Sequence, residues 1–100
     1  MPFKIEVKEE ARQDIADAMK WYAGKIEKLD IKFLKAVEET IARIQQNPFA
    51  FKRVYKKMRQ TAVRKFPYVV VYEPEPETII IYSVFNTWQH PKKRFIRIKK

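Results

Sequence analysis

Two runs of this chain, Tyr68 to Glu73 and Thr78 to Phe85, consist almost wholly of Val, Ile, Tyr and Phe, and only Pro74-Glu75-Pro76-Glu77 separates them. β-branched and aromatic side chains fit pleated backbone, and runs this continuous belong to interior strands covered on both faces. The short, charged, proline-bearing link joins them as an antiparallel hairpin. Pro67 has no amide hydrogen to donate and marks the boundary before the first of the two strands. Strands of this kind cannot stand alone in water, so the rest of the chain must supply cover.

Two amphipathic helices are predicted to supply it. Ala11, Ile15, Ala18, Met19, Tyr22 and Ile26 recur at spacings of three and four, and Glu9, Glu10, Asp14 and Asp17 occupy the first turns, where carboxylates suit the positive end of the helix dipole. A helix from about Glu9 to Ile26 follows, with Gly24, the only glycine, near its end. Asp30 is the expected cap of a second helix, whose stripe is Phe33, Leu34, Val37, Ile41 and Ile44 and which Asn47-Pro48 closes. The short link between them implies an antiparallel helical hairpin. Ahead of both, Phe3, Ile5 and Val7 alternate with Lys4, Glu6 and Lys8, the period of a half-buried strand. Residues 49–57 read as a loop, and residues 58–65 as a strand polar on both sides, as near a sheet edge. The expected fold is α+β: an N-terminal strand and a helical hairpin packed on a mainly antiparallel sheet, in the order β-α-α-β-β-β. One hundred residues fit a single domain over 1–100, with a basic tail from about residue 92 left as an extra strand or surface segment.

Charge is distributed unevenly. Residues 1–51 hold nine Lys and Arg against nine Asp and Glu, whereas residues 52–100 hold thirteen against three, so the net +10 lies in the second half. A field of that sign attracts polyanions: nucleic acid, an acidic protein or anionic lipid. The chain has no cysteine, which excludes disulfides and thiolate metal sites and makes a reducing, cytoplasmic setting the natural expectation. One histidine and scattered carboxylates make no metal site, and no cofactor is expected. The alternating amino terminus is unlike a secretory signal, and the longest uncharged apolar run, residues 79–85, is far short of the roughly 20 residues a helical membrane span needs.

A set of residues along nearly the whole chain carries a resemblance. Asp14-Ile15, Ala18 and Trp21-Tyr22 in the first helix, Phe33-Leu34 and Ala36-Val37-Glu38 in the second, Asn47-Pro48, Arg59, Arg64-Lys65-Phe66-Pro67-Tyr68, Tyr72-Glu73 and Val84-Phe85 occur in this order. In pattern and spacing the chain resembles the RelE/ParE superfamily of toxins from type II toxin-antitoxin systems. The resemblance implies a cytoplasmic toxin that inhibits growth, is encoded in a plasmid-stabilization type of system and is neutralised by a cognate antitoxin, commonly acidic where it binds. It also implies one of two targets, ribosome-bound messenger RNA, cleaved without a metal, or DNA gyrase.

Metal-free RNA cleavage needs a base for the 2′-hydroxyl, cations for the phosphate and an acid for the leaving oxygen. Candidates for such roles are Arg59, Arg64, Lys65 and His90. The family's nucleases place cations on the central strands and a tyrosine near the carboxyl terminus, but here the strand reads Val69-Val70-Val71 and no tyrosine follows Tyr82. Asn86 and Gln89 stand where many members carry a histidine and an arginine, and neither amide is an acid or base near neutral pH. Candidates for contact with target or antitoxin are Lys57, Arg59, Arg64, Lys65, Asn86, Trp88, Gln89, Lys92 and Lys93. Trp21 and Tyr22 are expected in the core or a groove, and Trp88 as an exposed contact. An inactive toxin homologue and a basic nucleic-acid-binding module are the alternatives; no RNP strand or helix-turn-helix pattern supports the latter.

Overall fold

A computed structural model describes residues 3–88. Along them run β1 (Lys4–Val7), α1 (Glu9–Ala23), α2 (Leu29–Gln46), β2 (Arg53–Tyr55), β3 (Met58–Ala62), β4 (Tyr68–Pro74) and β5 (Thr78–Asn86). Two helices pack on a mixed sheet of order β1-β5-β4-β3-β2, in which β1 runs parallel to β5 and the other pairs are antiparallel. The expected architecture is present with one strand more than the sequence indicated. β2 lies inside the segment expected to be a loop: it is three residues long and held only by β3, so no local periodicity announces it.

β4 and β5 form the predicted hairpin at the centre of the sheet. Every residue from Tyr68 to Tyr72 is buried, because alternate side chains serve two clusters. Tyr68, Val70 and Tyr72 join Phe33, Val37, Ile44, Ala11 and Ala18 under the helices. Val69 and Val71 point the other way and pack with Met58 and Phe85, flanked by Tyr55 and Tyr82.

The helices differ from expectation at their ends. α1 stops at Ala23, and Ile26, expected in its apolar stripe, is 63% exposed in the link to α2. The cap of α2 is Lys28, in left-handed conformation with no side-chain cap bond, while Asp30 falls in the first helical turn. There its carboxylate still suits the dipole. β3 ends at Ala62, three residues short of the expected limit, so Arg64 and Lys65 lie in a turn instead of a strand. The basic tail lies outside the described residues.

Polar ties fix the helices to the sheet. The Asp14 carboxylate accepts the Ser83 hydroxyl at 2.9 Å and the Val84 amide at 3.0 Å, where β5 carries one extra residue, Tyr82, relative to β4. A bulge leaves ladder groups without strand partners, and Asp14 supplies one from α1. The Asp-Ile pair noted in the sequence is therefore a fastening between α1 and β5. At the other end of the helical layer, Gln45 donates to the Phe3 carbonyl and Arg43 to the Ala62 carbonyl, tying α2 to both sides of the sheet.

Candidate functional site

The floor of the candidate site is aromatic. Phe33 of α2 is wholly buried, with ring centroids of Tyr22, Phe66 and Tyr68 at 5.4, 5.2 and 5.0 Å. Tyr22 also meets Phe66 at 5.1 Å, edge to face. These contacts bind the β3–β4 connection to both helices and leave a groove of about 680 Å³ between that connection and α2. Tyr22, Leu29, Ala36, Phe66 and Pro67 line its base. Lys32 and Lys35 rise from the α2 side, and Arg64 and Lys65 from the turn opposite, with Glu39 the only carboxylate among the described lining residues. Among the described residues the one ion pair within 4 Å is Lys8–Glu6 at 3.0 Å, where β1 passes into α1, so no described carboxylate pairs with the groove's cations.

An apolar base between two cationic walls can bury an amphipathic segment whose carboxylates reach either side. Lys32 and Lys35 were not among the sequence candidates. Their signal is a second helical stripe, Leu29, Lys32, Ala36 and Glu39 with Lys35 beside it, adjoining the core stripe at spacings of three and four. That stripe reads as an ordinary solvated face until the turn is known to stand across from it.

The structure separates the other candidates. Arg59 pairs with Tyr72 and shares its face of the sheet, toward the helices. Its guanidinium donates to the carbonyls of Phe51 at 2.7 Å and Phe49 at 3.2 Å, and lies over the Phe49 ring. Arg59 clamps the chain between α2 and β2, whereas Arg64 and Lys65 line the groove. Beside it the buried Tyr72 hydroxyl donates to the Pro48 carbonyl at 2.6 Å. Burial pushes the Tyr72 phenol up to about 12, partly offset by the Arg59 charge. Replacing Arg59 by methionine is expected to lower stability by about 2–3 kcal/mol, the scale of charge-assisted hydrogen bonds lost with their acceptors left half-buried. Chemical denaturation of the variant checks this, and a midpoint equal to that of the parent protein would refute the clamp.

Lys57 precedes β3 and Arg64 follows it, so they stand apart by the length of that strand, about 15 Å. Lys57 instead neighbours the β4–β5 hairpin, which carries all three carboxylates of the second half, Glu73, Glu75 and Glu77. Glu73 is raised above the ordinary carboxylate range, first by its hydrogen bond with Glu75 and then by burial, while Tyr82 and Lys57 act in the opposite direction. A carboxyl raised on folding binds its proton more tightly in the folded state, so stability falls as pH rises from the ordinary range through the folded value. Glu75→Gln is expected to raise Tm by about 1–3 °C at neutral pH, and in thermal melts this gain should shrink as the pH is lowered and Glu73 takes up its proton.

Asn86 ends β5 and accepts the Trp88 amide at 2.7 Å. It lines a smaller polar pocket with Asp14, Asp17, Trp21 and Tyr68. Burial raises the Tyr68 phenol, the hydrogen bond from Asn86 lowers it and the Asp14 charge raises it again. Trp88 is 84% exposed, as anticipated; Trp21 lines the smaller pocket but is itself 60% exposed, with the Lys25 ammonium 3.9 Å from its ring centre, and is no core residue. Gln89, His90, Lys92 and Lys93 lie outside the described residues.

The model of the family described as the ParE toxin of the type II toxin-antitoxin system parDE matches residues 5–90, most of the chain. The chain belongs to the ParE toxin family. Solved structures agree with the fold of this ParE-family toxin. It superposes on a chain of the chromosomal ParDE toxin-antitoxin system of P. aeruginosa with a TM-score of 0.75 and 16% identity, covering 84% of this chain and 95% of that one. A chain of the toxin-antitoxin complex RelBE2 from Mycobacterium tuberculosis gives 0.61 and 19%, covering 86% and 99%. No curated protein sequence gives a significant match to it. Within the described residues of this ParE-family toxin, no helix is long and apolar enough to cross a membrane.

Proposed function

We propose that this toxin is neutralised by a cognate antitoxin whose acidic, amphipathic segment lies in the α2 and β3–β4 groove, and that the free toxin acts by protein contact on DNA gyrase. The antitoxin half of the reading rests on one observation, the apolar groove base flanked by Lys32 and Lys35 on one wall and Arg64 and Lys65 on the other. Such a base suits apolar side chains better than a sugar-phosphate backbone, and the cations suit the carboxylates flanking them. The relatives solved as ParDE and RelBE2 toxin-antitoxin systems make a protein partner the natural occupant.

The chemistry around the cations favours contact over RNA cleavage. The phenol lining the groove is Tyr22, and burial together with the Tyr68 charge raises it, so it stays protonated at neutral pH and is no base for a 2′-hydroxyl. The adjoining strand β4 carries buried valines at 69–71 and so offers no cation to a phosphate. Induction of the toxin alone should arrest a bacterial host, and the short neighbouring reading frame should restore growth. In the arrested cells gyrase-linked DNA breaks should accumulate while messenger RNA ends stay unchanged. Codon-registered cuts in messenger RNA with intact DNA would sink the gyrase reading, and normal growth with abundant soluble protein would sink the toxin activity altogether.

A further inference from the structure

Three residues of the described chain have positive φ without being glycine, and all are lysines: Lys28 at 68°, Lys56 at 51° and Lys65 at 71°. Left-handed backbone crowds any Cβ against the following carbonyl, and glycine or asparagine is its usual occupant. The one glycine is not used this way. Gly24 has φ −81°, and a Cβ there would find its nearest neighbour, the Trp21 carbonyl oxygen, at an ordinary 3.6 Å. Lysine therefore occupies three positions whose backbone disfavours it.

The three differ in what their ammonium groups do. Lys56, first in the turn from β2 to β3, reaches over the ring of Tyr55 at 5.4 Å, an internal contact that gives the side chain a structural use. Lys65 is third in the turn from Val63 to Phe66, closed by the Phe66 amide on the Val63 carbonyl at 3.4 Å. With positive φ at that position, turns ordinarily take glycine. Lys65 is exposed, lines the groove, and its ammonium forms no ion pair or ring contact among the described residues. Lys28 is exposed and directly precedes Leu29, a lining residue of the groove, without lining it itself, and it caps α2 without the side-chain hydrogen bond that Ser, Asp or Asn would offer.

We propose that Lys65, with Lys28 next to the lining residue Leu29, is an affinity-determining contact for carboxylates of the groove's occupant, and that the turn keeps a lysine against its backbone preference for this reason. The inference rests on the acidic-antitoxin reading of the groove and adds to it the residues that set the strength of binding. It implies opposite signs for stability and binding: glycine at position 65 relaxes the fold and loosens the partner.

The test uses the full chain with Lys65→Gly, Lys28→Gly, Lys56→Gly and Lys65→Arg, each measured for Tm and for binding to a synthetic amphipathic peptide whose apolar helical stripe is flanked by glutamates. All three glycine variants should melt higher than the parent by about 2–5 °C. Lys65→Gly should bind the peptide about fivefold more weakly, the scale of one partly exposed ion pair, and Lys28→Gly more weakly by a smaller factor. Lys56→Gly, relaxed in the same way but placed in the turn at the other end of β3, should bind as the parent does, and Lys65→Arg should retain binding with no gain in Tm. Parent-like binding by Lys65→Gly overturns the inference while leaving the acidic-occupant reading in place. Failure of the parent protein to bind the peptide overturns both, as does tighter binding of an oligouridylate that Lys65→Gly weakens, which would reassign the groove to nucleic acid.

Discussion

Phe33→Ala is expected to lower stability by about 3–5 kcal/mol, a large part of the roughly 5–15 kcal/mol that holds a domain of this size folded. Phe33 is wholly buried, and Tyr22, Phe66 and Tyr68 surround its ring within 5.4 Å. Those neighbours come from α1, from the β3–β4 connection and from β4, so no single element can move in to fill the space without leaving another contact. The cavity would persist, and cavities add to the transfer cost of the deleted ring. Urea unfolding should show a lower midpoint at an unchanged slope. Ile31→Ala, two residues earlier on the same helix but 56% exposed, should stay within about 0.5 kcal/mol of the parent. Equal midpoints for the two variants would show that the aromatic cluster is not the keystone of the helical layer.

Lys35→Glu with Arg64→Glu places a carboxylate on each wall of the groove and is expected to weaken antitoxin binding about 100-fold, two reversals of roughly 1.4 kcal/mol each. Arg64 and Lys35 are both exposed and make no described hydrogen bond, so the fold should be unaffected. In cells the expected result is a toxin that still arrests growth but is no longer rescued by its neighbouring reading frame. Purified protein should keep its melting temperature to within about 2 °C. Full rescue of this variant would remove the groove from the antitoxin interface. Loss of toxicity in the absence of antitoxin would instead assign the groove to the target.

Both variants stand apart from Arg59→Met, whose effect is on the fold. The three basic residues Arg59, Arg64 and Lys65 read alike in sequence, since a polar strand near a sheet edge gives no indication of which side faces the helices. Register decides it. Arg59 lies opposite Tyr72, which is committed to the core, and so turns inward to the carbonyls of the α2–β2 connection. Arg64 and Lys65 leave the strand altogether because β3 ends at Ala62.

The same distinction separates what was legible from what was not. The central hairpin was readable because its information is local: continuous β-branched and aromatic residues, then two prolines and two glutamates where the chain must turn. The two helices were readable for a similar reason, since apolar residues at spacings of three and four report one buried face wherever that face is placed. Family membership was legible too, through Asp14, the aromatics of both helices and the Arg64 to Tyr68 run, whose structural duties as bulge fastening, core and groove edge keep them at set spacings.

Tertiary structure alone decided the rest. β1 is parallel to β5 across more than seventy residues of chain, and β2 exists only because β3 is there to pair with it. Lysine at the left-handed positions 28, 56 and 65 gives no turn signal of the kind glycine would. The groove itself is a meeting of Lys32 and Lys35 with Arg64 and Lys65, residues about thirty apart in the chain, and nothing in either stretch refers to the other. By itself the sequence determined the central hairpin, the helices and the sign of the charge, because those depend on neighbours a few residues away. Where that charge collects, and which arginine is withdrawn from it, depended on packing between distant segments.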